Sequence, residues 1–187
     1  VRAGSDAYMI KIFALLFSLY TLGFSAILPV TKGETSIYID TQNQETLDTI
    51  VSKKESFTIE KNSKRRILDK AIWTHFTLSN NSSKNQSLIL SSTFRLVRYI
   101  DVLVIHQDAT RETHLIGSNR EHKFIHSNLG RYPLTLRPNE HVDIYTRHIT
   151  QGVVGVNWNI NETGEYYAKK SIEDIFKGVA FGIVFIF

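Results

Sequence analysis

From residue 36 to residue 160, apolar and polar positions change places roughly every second residue, in short runs set off by turn-forming residues. A period of two puts successive side chains on opposite faces of an extended chain, so each such run predicts a strand. Residues 36–40 alternate in a β-rich composition. In residues 71–78, Ile72, Thr74, Phe76 and Leu78 share one face, while Trp73, His75 and Thr77 share the other. That run closes on Ser79-Asn80-Asn81-Ser82-Ser83, which is turn chemistry. Further strands are predicted over residues 86–92, 99–106, 114–117, 131–136, 141–150 and 153–160, with Arg137-Pro138-Asn139-Glu140 as a proline-initiated turn. Residues 46–52 break the period: Leu47, Ile50 and Val51 stand at helical spacing and predict a short helix. Many short strands between regular turns predict an all-β chain, an antiparallel jelly-roll-like β-sandwich.

The two ends follow a different pattern. Met9-Ile10-Lys11 supplies a start and a positive charge, residues 12–24 are apolar, and Gly23-Phe24-Ser25-Ala26 offers small residues for cleavage after Ser25 or Ala26. This predicts a cleavable export signal over residues 1–26, with residues 1–8 as upstream sequence; an uncleaved anchor helix is the alternative. At the other end, residues 161–164 interrupt the strand pattern, and a polar helix is predicted from about Tyr166 through a connector at residues 161–174. Residues 175–187 are then apolar on every side. Thirteen residues at ~1.5 Å rise cover about 20 Å, short of the ~30 Å of a bilayer core. A core helix on a small sandwich would keep a polar stripe. The expectation is the start of a membrane-spanning helix, with the sandwich at residues 27–160.

Composition narrows the function classes. The chain has 187 residues, 42% hydrophobic and 21% charged, which suits one foldable domain with short appendages. The net charge of +4 falls only to +3 without residues 1–26, so the mild basic excess belongs to the sandwich. It is too scattered for nucleic acid, which calls for a dense basic stripe. The richest cluster, residues 61–70 with Lys64, Arg65 and Arg66, reads as a solvated loop, or else as a patch for anions such as phosphate or sulfated glycan. The absence of cysteine removes disulfides and thiolate chemistry, and suits a periplasmic domain held by core burial. His122 and His126 have i, i+4 spacing, but the sequence fixes no third ligand, so solvent-facing histidines are the expectation and no metal or cofactor is assigned. No serine sits in a Gly-x-Ser-x-Gly elbow, no pair of carboxylates is set up and no phosphate loop occurs, so catalysis is not expected.

The order of these parts resembles the bacterial seven-transmembrane receptors with diverse intracellular signalling modules, the 7TM-DISM family. ILDKAIWTHFTLSNN (residues 67–81) is similar to that family's strand with a central Trp closing on Asn, and FRLVRYIDVLVI (residues 94–105) to its following paired strand. Leu136-Arg-Pro-Asn-Glu140 matches its Leu-x-Pro turn. Val156-Asn-Trp158 stands ahead of the exit helix, and Gly178 and Gly182 look like the glycine pair opening the first span; independently, small residues four apart let a second helix approach closely in lipid. The resemblance covers about residues 36–187. It implies a periplasmic jelly-roll sensor at the bacterial inner membrane, binding carbohydrate or another small ligand. Seven helices would couple it to a cytoplasmic output that lies outside this chain.

Sugar recognition needs an aromatic platform for C–H faces and planar polar groups for hydroxyls. Candidates are Arg95, Arg98, Tyr99, Asp101, Tyr132 and Asn157, with polar residues crowding the otherwise apolar strand at 99–106. Trp73 and Trp158 are expected in the core rather than at a site. A different class of function, a membrane-anchored structural or protein-binding adaptor without a sensing role, fits the same order of parts.

Overall fold

The structure, a computed structural model, describes residues 29–59, 64–67, 70–92, 98–117, 131–149, 152–155 and 157–184. Twelve strands are found in these segments: β1 (Val30–Lys32), β2 (Ser36–Asp40), β3 (Thr58–Ile59), β4 (Lys64–Ile67), β5 (Ala71–Asn80), β6 (Gln86–Ser92), β7 (Tyr99–His106), β8 (Arg111–Ile116), β9 (Arg131–Leu136), β10 (His141–Ile149), β11 (Gly152–Gly155) and β12 (Trp158–Glu162). A 3-10 helix spans Ile50–Ser56 and one α-helix, α1, spans Thr163–Val184.

Every pairing is antiparallel. The larger sheet runs β3-β2-β5-β10-β7-β8, with β1 also on β5; the smaller runs β12-β6-β9, and β4 pairs with β11. The alternation read in the sequence aims one face of each sheet at the other. Phe76 and Leu78 of β5, Val142 and Ile144 of β10 and Val102 and Val104 of β7 meet Leu88 and Leu90 of β6, Leu134 and Leu136 of β9 and Trp158 of β12. The chain is therefore the all-β sandwich expected.

The larger sheet buries its second face as well. Ala71, Trp73, Leu103 and Tyr145 pack under Ile50 of the 3-10 helix, with Tyr38 and Phe57 against them. Trp73 and Ile50 are both 0% exposed. Two-sided burial explains the unbroken apolar run from Val102 to Ile105 in β7, whose members face the two clusters in turn. The covering strap is pinned electrostatically: Lys54 Nζ stands 3.2 Å and His75 Nε2 2.6 Å from Asp143 Oδ1, and the His75 ring stacks on Tyr145 at 4.5 Å. The His75 hydrogen bond, ahead of Lys54, pulls the Asp143 carboxyl down to about 2.

Several boundaries differ from the sequence reading. The short helix expected at residues 46–52 lies further on, at Ile50–Ser56, and is 3-10; ahead of it Thr46 and Thr49 bond each other and the Thr49 hydroxyl donates to Glu45, leaving Ile50 as the anchor. The strand at 153–160 is two strands with different partners, β11 on β4 and β12 on β6. Within the cluster at 61–70, Lys64–Ile67 is a strand rather than loop. The strand at 114–117 starts earlier, at Arg111, and β1 and β3 are too short to show a period. Glycine 117 closes β8 at φ +127, a conformation that side chains rarely adopt.

α1 begins at Thr163, directly after β12, and runs without interruption through residues expected to divide connector from membrane helix. Its first turns contact β12 and β6. Beyond them Ile175, Phe176 and Val179 stay 65%, 55% and 55% exposed, so this part of the helix is not tucked into the sandwich. Among the described residues no helix is long and apolar enough to cross a membrane. The expected signal at residues 1–26 lies outside the described residues, as do residues 185–187.

Asn80, 1% exposed, ties two turns together. Its amide nitrogen donates to the Lys84 carbonyl at 2.8 Å and the Arg137 carbonyl at 2.7 Å, and its amide oxygen accepts from Ser82 N–H at 3.0 Å. Replacing Asn80 with Ala removes the hydrogen bonds that join both turns and should cost about 1–2 kcal/mol, read as a lower urea midpoint with unchanged slope. A loss under about 0.5 kcal/mol would show that the tie is idle.

A cationic cleft between the smaller sheet and the exit helix

Because α1 follows β12 with no linker, its first turns lie beside the smaller sheet and enclose a cleft of about 770 Å³ with it. β1, the end of β6, the start of β9, β12 and α1 all contribute walls. A volume of this order is that of a small-molecule site. Trp158 lines the floor and is 4% exposed. Its indole N–H donates to Thr146 Oγ1 at 3.2 Å, and Thr146 also bonds His148 Nε2 at 2.8 Å and the Thr74 hydroxyl. A buried polar network thus holds the floor to the central strands of the larger sheet.

The walls are charged. Lys32, Arg131, Lys169, Lys170 and Lys177 line the cleft against two carboxylates, Glu165 and Glu173. The Arg131 guanidinium lies 5.3 Å from the Tyr166 ring centroid and fastens β9 to α1. Lys170 Nζ pairs with Asp174 at 3.0 Å and Lys177 Nζ at 4.0 Å. Hydrogen bonding from Lys170 lowers the Asp174 pKa. Lys32 Nζ stands 2.6 Å from Thr35 Oγ1 and 5.0 Å from the Phe76 ring; the residue is exposed overall, yet desolvation of its ammonium lowers its pKa.

The residues singled out in the sequence do not assemble into one site. Arg95 lies outside the described residues, as do His122 and His126. Arg98 is exposed and Tyr99 half-buried at the start of β7. Asp101, 6% exposed, is on the strap side of the larger sheet, 3.9 Å from the guanidinium of Arg147, which in turn lies 5.6 Å from the Trp73 ring centroid. Tyr132 is in the inter-sheet core, 1% exposed, and its hydroxyl donates to Glu112 Oε2 at 2.9 Å. Burial, then the Glu112 hydrogen bond, raises its pKa. Asn157 is half-buried and immediately precedes β12 without lining the cleft. Nothing stands within 4 Å of a Cβ placed at Gly178, and Gly182 is one turn further along α1. No group of three histidine or acidic residues suited to a metal occurs among the described residues.

Sequence reasoning missed Lys32, Arg131, Tyr166 and Lys169. The legible trace was the helical spacing of Tyr166, Lys169, Lys170, Glu173 and Lys177, one face of a helix that enters a polar cleft.

The β-sandwich hands its last strand directly to a long helix. The family model described as 7TMR-DISM extracellular 2 matches residues 32–162, and the chain belongs to that family. The match begins within β1 and stops where α1 starts, so it coincides with the sandwich. The protein is thus a membrane receptor's outside-facing sensor domain. No curated protein matches the chain.

His148 gives the cleft floor a pH-dependent support. It is 0% exposed, and burial lowers its pKa to about 4. An unfolded histidine titrates near 6.5, so between these values the unfolded chain binds the extra proton. Stability from this group is full above about pH 6.5 and drains as pH falls towards 4, by about 3 kcal/mol in all. Urea midpoints between pH 7 and pH 4.5 should fall more steeply in the native sequence than in His148→Gln; equal slopes would contradict the assignment.

Proposed function

We propose that this domain senses a small polar ligand of the carbohydrate class in the periplasm, as the outer part of a bacterial inner-membrane receptor. The ligand seats in the cleft between β12 and α1, and the role is binding rather than catalysis. One observation carries the reading: the same cleft is walled by the sandwich on one side and by the exit helix on the other. A ligand touching both walls has different affinity for different placements of the helix, and only such a difference can shift a signalling equilibrium. A tenfold difference in affinity supplies about 1.4 kcal/mol of bias.

Transmission then depends on helix rigidity. α1 is continuous from Thr163 past the cleft, so a displacement of its first turn is carried along its length. The apolar residues 175–187 lead towards the lipid bilayer, and the cytoplasmic output stands beyond it. Ala168 and Ile172 lie on exposed positions of α1 outside the cleft lining. Replacing both with glycine costs about 1 kcal/mol of helix stability each. In the full-length receptor the double variant should bind ligand within about twofold of the native affinity and lose its signalling response. An undiminished response would instead favour an anchored adaptor that senses nothing.

A further inference from the structure

We infer that the cleft selects a negatively charged ligand, a saccharide bearing a carboxylate, an inference that rests on the cleft being the ligand site. Three of its cations come from three different elements: Lys32 from β1, Arg131 from β9 and Lys169 from α1. None of the three stands within 4 Å of a carboxylate among the described residues, although Asp174 of α1 is near enough to Arg131 to feel its charge. Arg131 rests on the Tyr166 ring, Lys32 on a hydroxyl and the Phe76 ring, and Lys169 has no partner among the described residues. The two carboxylates of the lining, Glu165 and Glu173, are both on α1 and pair with none of them.

Like charges drawn together around one concavity repel, and partial desolvation of Lys32 adds to the cost. An anion placed among them offsets both, and the guanidinium fork of Arg131 suits two carboxylate oxygens. A neutral sugar would leave the three cations as they are. Bare phosphate would satisfy the cations alone. Asn159, Asn161 and Tyr166 also line the cleft, giving amides for hydroxyl groups and a ring for a C–H face. The combination describes a short uronic-acid saccharide.

The test titrates the purified chain calorimetrically with digalacturonate, with its neutral counterpart galactobiose and with inorganic phosphate. Digalacturonate should bind most tightly, and its affinity should fall about tenfold between ~50 and ~500 mM salt. Lys169→Ala should weaken it about tenfold while leaving the urea midpoint in place. Equal affinity for galactobiose, lost on blocking the cleft with Asn159→Trp, overturns the charge selection and leaves the cleft as the ligand site. Digalacturonate binding that survives Asn159→Trp overturns the cleft reading itself. Preference for phosphate, or no binding of digalacturonate, overturns the uronic-acid assignment.

Discussion

The burial of both faces of β5 is the constraint on which the rest of the molecule depends. Phe76 and Leu78 must meet the smaller sheet while Ala71 and Trp73 must be covered from the opposite side. A two-layer sandwich satisfies only the first requirement. The second is met by the strap that drops Ile50 onto Trp73 and is held by the Lys54–Asp143–His75 cluster. With both faces of its central strands packed, the larger sheet is a rigid plate, and the smaller sheet is registered against it through Trp158, Thr146 and Thr74.

That rigidity gives the exit helix its meaning. β12 is an edge strand of the smaller sheet, and α1 starts at the very next residue. Nothing flexible intervenes between core and helix, so the helix inherits its direction from the sheet. Among the described residues its contacts with the sandwich are to β12 and β6, with Tyr166 set against Arg131 of β9. A weakly seated helix on a strongly seated strand is an arrangement in which a modest ligand energy can matter, since the energy needed to shift the helix is far below that needed to deform the sandwich.

Much of the sandwich was legible in the sequence because its strands obey a period of two and end on turn residues. Strands 86–92, 99–106 and 131–136 fall where the alternation places them, as does the turn at Arg137–Glu140, where Glu140 N–H bonds the Arg137 carbonyl. Alternation reports which side a residue faces, however, and not which strand it meets. The run at 153–160 therefore looked like one strand although its two halves pair with β4 and β6. The exit helix was legible too, and its apolar residues Ile175, Phe176 and Val179 stay exposed. The cleft was not. Lys32, Arg131 and Lys169 are far apart in the chain and are brought together only by the closing of the two sheets, so no local pattern marks them. The polar residues at the start of the otherwise apolar strand 99–106 drew attention instead, and there Asp101 faces Arg147 on the strap side.

The most direct test is the distance between the smaller sheet and the helix. Spin labels at Thr135, exposed on β9, and Ala168, exposed on α1, can be read by pulsed electron resonance in the purified protein. A helix seated against the sheet should give one narrow distribution that shifts when a cleft ligand is added. A broad distribution, identical with and without ligand, would contradict the account.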